Sequence, residues 1–156
     1  GKLLVIGQED SPSPFNYSVT TGTTFDLLET SSGRVLLSFQ AEEERIRRLQ
    51  RRKFYMKIQK RVSNRTNDSL EKKFTSKTIH EIRKNKCEVV KSLQVNGVTN
   101  ISAPVFDHTN YAIAAITIPY LQRINKSSKN DINLSKTTKL LKEYSVKLSQ
   151  SLGYLN

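Results

Sequence analysis

The stretch that most restricts what this chain can fold into runs from Gly97 to Leu121, GVTNISAPVFDHTNYAIAAITIPYL. It holds two apolar runs, Val98–Phe106 and Tyr111–Ile118, rich in β-branched residues and too short for buried helices. Between them lies Asp107-His108-Thr109-Asn110, a polar loop of the length that joins antiparallel strands. The pattern predicts a β-hairpin near the middle of a sheet, because strands this apolar need cover on both faces. Pairing Phe106 with Tyr111 sets Asn100 opposite Thr117. Side chains alternate along a strand, so Val98, Asn100 and Ser102 share a face with Ala115, Thr117 and Pro119. The other face, with Ile101, Ala103, Val105, Ala114, Ile116 and Ile118, is almost wholly apolar and reads as core. A few polar groups in an apolar setting suit either a small-molecule pocket or core polars satisfied by their neighbours.

Strands and helices alternate around the hairpin. Lys2–Gly7 reads as a strand, Glu9-Asp10-Ser11-Pro12-Ser13-Pro14 as a loop and Phe15–Val19 as a second strand. Gly22 then marks a turn before Phe25-Asp26-Leu27-Leu28. Glu29-Thr30-Ser31-Ser32-Gly33 precedes a helix over Arg34–Phe39, whose apolar positions 35, 36 and 39 share one face. Thr30, Ser31 or Ser32 can cap it through a side-chain oxygen. So small a helix start also lets a carboxylate or phosphate reach the free N–H groups, although capping alone is the commoner use.

A second helix begins over Gln40–Arg52, with Glu42, Glu43 and Glu44 in its first turn and Ile46 and Leu49 as a narrow apolar stripe. Basic residues then dominate: Arg45, Arg47, Arg48, Arg51, Arg52, Lys53, Lys57, Lys60, Arg61 and Arg65, interleaved only by Phe54 and Tyr55. This is either a nucleic-acid patch or a solvated basic surface. Asn64–Ser69 and Gln122–Asn133 read as polar connections. Leu70, Phe74, Ile79 and Ile82 recur at helical spacing up to Lys86, with Thr78-Ile79-His80-Glu81 a capping box. Glu88–Val90 is a short strand. Ser135 can cap a last helix with a Leu141, Tyr144, Leu148, Leu152 stripe, and Gly153 ends it. The whole predicts a single-domain α/β (α+β) sandwich, with helices packed on an antiparallel sheet.

At 156 residues the chain is long enough to bury a real core. Its net charge of +12 favours anionic partners, or reflects a Lys- and Asn-rich genome. The single cysteine, Cys87, points to a reducing, cytoplasmic compartment. Asn-X-Ser/Thr triplets at Asn16, Asn64, Asn67, Asn100, Asn125 and Asn133 read as chance, since no signal peptide is visible. No apolar run has membrane-spanning length. The chain enters an apolar strand at Gly1, which reads as a fragment of a longer protein. Catalysis finds no support: Cys87 has no evident His partner, His80 and His108 lack companions at metal spacing, and no phosphate loop or nucleophile elbow occurs. Ser31 and Ser32 are the only nucleophile candidates at a helix start, and no base can be assigned to them.

Two stretches together resemble the effector-binding domain of the IclR family of bacterial transcription regulators. One is GTTFDLLETSSGRVLLSF, Gly22 to Phe39, with its Gly, short loop and Ser-Gly helix start. The other is GVTNISAPVFDHTNYAIAAITI, Gly97 to Ile118, with its Gly-Val…Ala-Pro-Val-Phe-Asp hairpin. The resemblance spans nearly the whole chain, weakly between Arg47 and Ser69. It implies a GAF-like fold that binds a small organic effector, often a carboxylate or aromatic acid, between sheet and helix. It also implies homodimer or tetramer contacts, and DNA binding only through an N-terminal winged helix-turn-helix domain absent from this chain. By position, the resemblance places Ser31, Ser32, Gly33, Asn100, Thr117 and Pro119 around the effector, with Leu27, Leu28 and Val90 as apolar walls. It implies no cofactor and no metal. Where family members often carry an acidic residue before the hairpin, this chain has Val90 or Lys91, and Pro119 stands where some have Ser. Both departures predict a less polar pocket than one built for small keto acids. The competing expectation is a nucleic-acid module using Arg45–Arg65.

Overall fold

The computed structural model describes residues 1–11, 17–60, 68–121 and 133–155. Its elements run in the order β1 (Lys2–Leu4), β2 (Thr24–Asp26), α1 (Ser31–Ser38), α2 (Glu42–Lys60), α3 (Asp68–Lys73), α4 (Ser76–Asn85), β3 (Glu88–Lys91), β4 (Val98–Phe106), β5 (Ala112–Leu121) and α5 (Leu134–Ser151). β1 pairs with β2, and β3, β4 and β5 form a second antiparallel sheet with β4 in its centre. This is the mixed, single-domain α/β architecture that the sequence predicts. The readings of Pro12, Ser13, Pro14, Phe15 and Asn16, of Arg61, Asn64, Arg65 and Asn67, and of Asn125 in the last connection lie outside the described residues. Tyr17, Ser18 and Val19 are not in a strand. The partner of β1 comes after Gly22, whose φ of 90° makes the turn.

β4 occupies the expected residues, but its register with β5 differs by two: Asn100 faces Pro119 and Ser102 faces Thr117. The loop is one residue longer than expected because Tyr111 belongs to it, and a shift between Val105 and Phe106 absorbs the odd residue. Asn110 takes a φ of 63°, and the Asp107 carboxylate accepts the Thr109 N–H at 2.9 Å, which closes the loop. A slip of two leaves every side chain on its own face. The apolar face therefore still holds Ile101, Ala103, Ile116 and Ile118, packed with Cys87 and Leu141.

α5 covers that face, and of the expected stripe only Leu141 is buried there. Its buried residues are Thr137, Leu141, Ser145 and Ser149, while Tyr144, Leu148 and Leu152 are 60%, 42% and 42% exposed. The ladder explains the choice. Ser92 N–H donates to the Val98 carbonyl at 2.9 Å, so Val90/Asn100 and Glu88/Ser102 are the hydrogen-bonded pairs of β3 and β4. β3 stops at Glu88, leaving the β3 side of Pro104 and Phe106 without a strand. Serines of α5 replace it: Ser145 Oγ donates to the Pro104 carbonyl, and Ser149 Oγ accepts the Phe106 N–H at 3.0 Å. A leucine at either position would leave a buried backbone group unpaired.

Capping differs from the sequence reading at two helices. Asn133, not Ser135, caps α5 by accepting the Lys136 N–H at 2.8 Å. Gly153 ends that helix as expected, with φ at 85° and the Tyr154 N–H returning to the Ser149 carbonyl. The single expected helix before Lys86 is two helices, and Thr75, not Thr78, caps the second. Phe74, just past α3, and Ile82 of α4 close a core with Leu27, Leu28, Val35 and Leu37. On α1 the buried apolar residues are thus Val35 and Leu37, with Leu36 and Phe39 only half-buried. α2 departs furthest: Leu49 packs against this core as expected, but Ile46 is 47% exposed, and the fully buried position is Arg52 at 3%.

Candidate functional site

α1 lies on the polar face of the hairpin. Thr30 caps it, its Oγ1 accepting the Gly33 N–H at 3.1 Å. The strand registers set side chains of that face in rows across β3, β4 and β5. One row is Glu88, Ser102 and Thr117. Three α1 residues fasten to it in turn: Ser31 Oγ lies 2.6 Å from Ser102 Oγ, Thr117 Oγ1 donates to Ser32 Oγ at 3.2 Å, and Arg34 grips Glu88. Ser102 and Thr117 are themselves 2.7 Å apart, so four hydroxyls form one continuous chain from helix to sheet. The next row is Val90, Asn100 and Pro119. It lies two residues along each strand, roughly 7 Å from the first.

The two rows differ in what remains available. The first is consumed by the fold. In the second, Asn100 is half-buried, and its amide meets no hydrogen-bond partner among the described residues. At the helix start the Gly33 N–H is taken by Thr30 and the Arg34 N–H by the Thr30 carbonyl, whereas the N–H groups of Ser31 and Ser32 meet no acceptor among the described residues. Of the residues the sequence singles out, Val90, Asn100 and Pro119 come together as one row. Thr117, Ser31 and Ser32 form the hydroxyl chain, and Gly33 packs against the backbone of Leu27. Leu27 and Leu28 are 3% and 1% exposed, in the core beneath α1. Sequence reasoning put Ser102 on the right face but not in the site, because the two-residue slip, not the face, decides its contact with Thr117.

It also missed Arg34 and Glu88. Arg34 Nε reaches both Glu88 oxygens at 2.9 and 3.0 Å, and Nη1 donates to the Leu28 carbonyl at 2.6 Å. Burial pushes the Glu88 carboxyl above its ordinary value of 4.5, and Arg34 opposes but does not cancel the shift. A carboxyl with a raised folded-state pKa gives stability that is complete below the unfolded value and lost as pH rises through the folded one. Denaturant midpoints of the native chain should therefore fall as pH rises through that window. Glu88→Gln should flatten that slope, and an unchanged slope would assign it to another group.

Among the described residues, four cations of the basic run on α2 are paired with acids distant in sequence or one turn away. Glu44 pairs with Arg47 and Arg48, Asp26 and Glu71 with Arg52, and Glu71 also with Lys53. Arg45 rests on the Gln40 carbonyl. Arg51 and Lys57 are left exposed without an ion pair among the described residues. Among those residues, no three His, Cys, Asp or Glu side chains converge to hold a metal, and no helix is long and apolar enough to cross a membrane. The lone cysteine, Cys87, is buried, and burial pushes its thiol pKa up.

Comparison with known proteins decides the family. Residues 1–150 match the family described as bacterial transcriptional regulator IclR C-terminal. The chain belongs to the IclR C-terminal family. That membership makes it a regulator domain and not an enzyme. The same fold occurs in an IclR-type regulator from Alicyclobacillus acidocaldarius (TM-score 0.71, 20% identity, covering 97% of this chain and 56% of that one). It occurs too in the Thermotoga maritima IclR (0.69, 22%, covering 98% and 57%). The C-terminal domain of the Escherichia coli regulator KdgR also shares it (0.63, 23%, covering 90% and 79%). Against the first two, this IclR domain spans a little over half of their length. No curated protein matches its sequence.

Proposed function

We propose that this IclR C-terminal domain senses a small organic acid at the junction of the α1 start and the Val90–Asn100–Pro119 row. The observation that supports this reading most is Asn100. A half-buried amide flanked by Val90 and Pro119, with no hydrogen-bond partner among the described residues, supplies a donor and an acceptor in an otherwise apolar setting. The open N–H groups of Ser31 and Ser32 suit the carboxylate. The acidic residue on this face, Glu88, is held by Arg34 and faces no ligand anion freely. A carboxylate with a modest apolar or aromatic body fits these groups better than a highly polar sugar acid.

In the complete regulator, a homodimer or tetramer, an N-terminal domain outside this chain would bind DNA. The effector would change that affinity only insofar as it binds two subunit arrangements differently. A thermal-shift screen with small aliphatic and aromatic carboxylic acids tests the proposal. A ligand at a hundred times its dissociation constant adds about 2.7 kcal/mol. The shift should disappear in Asn100→Leu, which breaks no side-chain bond among the described residues, and in Ser32→Trp, whose own unliganded melting temperature is the reference because it also removes the acceptor of Thr117. A shift unchanged by both variants would move the site elsewhere. The alternative, DNA binding through α2, predicts affinity falling steeply with salt, which the ion pairs of Glu44, Asp26 and Glu71 weaken in advance.

A further inference from the structure

A groove of about 600 Å³ lies far from the hydroxyl chain, on the opposite face of the sheet, between the outer edge of β3 and the first half of α5. Val89, Leu134, Ser135, Thr138, Lys139, Lys142 and Glu143 line it. The ladder register tells which backbone groups face it. Val90 and Glu88 form the hydrogen-bonded pairs with β4, so Val89 and Lys91 turn their N–H and C=O groups away from β4, onto the open edge of the sheet. Alternation puts the side chains of these same two residues on the α5 face. Val89, 42% exposed, forms part of the groove floor. The other edge of the sheet is protected differently. On β5, Pro119 offers no N–H, and Gln40 Nε2 donates to the Ala112 carbonyl at 2.7 Å. Among the described residues, β3 has neither protection.

We infer that the β3–α5 groove takes an extended peptide segment of a partner protein, added as a fourth strand beside β3, with an apolar side chain against Val89 and an acidic one two residues away. Strand addition next to a helix supplies affinity through backbone hydrogen bonds and specificity through alternate side chains. Residues directly opposite Val89 and Lys91 would both point into the groove. The floor at Val89 and Leu134 is apolar. Lys91 on the strand and Lys139 and Lys142 on the helix draw an anion, while Glu143 is the acidic group in the lining.

An array of short labelled peptides, each with Ile or Val and Asp or Glu two positions apart, tests this against the 156-residue chain by fluorescence anisotropy. Binding is expected, together with slowed amide exchange at Val89 and Lys91. Val89→Pro removes an outward-facing N–H and no ladder bond, and should weaken binding at least about tenfold. Lys142→Glu leaves the strand intact and should weaken it similarly, so the pair keeps the test decisive if the proline variant does not fold. Any of four results would overturn the inference: no peptide binds, binding survives both variants, it responds to the charge but not to the proline, or the edge is filled by a second copy whose dimer Val89→Pro dissolves.

Discussion

Arg52→Ala is expected to lower the unfolding free energy by about 3 kcal/mol, the lower end of the range for breaking a buried ion pair. Arg52 is only 3% exposed, although it sits in a run of cations that looks solvent-facing in sequence. Its Nε lies 2.8 Å from both oxygens of Asp26, and Nη1 lies 2.9 Å from Glu71. Asp26 also accepts the Leu28 N–H at 2.9 Å, so the guanidinium joins α2 and α3 to the loop that leads into α1. Truncation removes the shared cation, which leaves Asp26 without an ion pair among the described residues and Glu71 with Lys53 alone. These carboxylates are 15% and 24% exposed, and partial hydration of them sets the loss at the lower end of the range. Nη2 is buried with no partner among the described residues, so the arginine is itself imperfectly satisfied. Arg52→Lys should recover little, since an ammonium cannot span Asp26 and Glu71 in a fork. Urea unfolding with an unchanged slope checks the value. A loss below about 1 kcal/mol would show the cluster behaving as an ordinary surface bridge.

That arginine also illustrates where sequence reading stops. Helix periodicity ranks positions by apolarity, so it assigned the inner face of α2 to Ile46 and Leu49 and could not assign Arg52, whose acids lie on other elements. α5 fails for the same kind of reason. Its inward serines are chosen by backbone groups of β4 that lose their strand where β3 ends, which depends on two elements at once. The hairpin was legible because alternation is local: β4 keeps its bounds, and every face assignment survives the register slip. Loop length fixes register, and the sequence does not say that Tyr111 belongs to the loop. That residue and the irregularity between Val105 and Phe106 together move Thr117 from Asn100 to Ser102. The slip changes the site in kind, separating a row bound to α1 from a row whose asparagine meets no partner among the described residues.

Gly33→Ala separates these two roles of the α1 start. By helix propensity alone the substitution should stabilise the domain by about 1 kcal/mol. The opposite is expected, a loss of roughly 3 kcal/mol, at the upper end for overpacking. A methyl at Gly33 would sit 2.7 Å from both C and Cα of Leu27, and closer still to its carbonyl oxygen. Those atoms are backbone and cannot rotate aside, and Leu27 and Leu28 are locked in the core. Relief requires α1 to shift against Leu27, which disturbs the contacts of Ser31 with Ser102 and of Ser32 with Thr117. The Val90–Asn100–Pro119 row sits on the strands and stays in place. A ligand held only by that row would bind the variant normally once its lower stability is allowed for. A ligand that needs the Ser31 and Ser32 N–H groups would lose affinity beyond the stability change. Isothermal titration of the variant at a temperature where it remains folded tells the two apart, and a stabilised Gly33→Ala protein would refute the close approach itself.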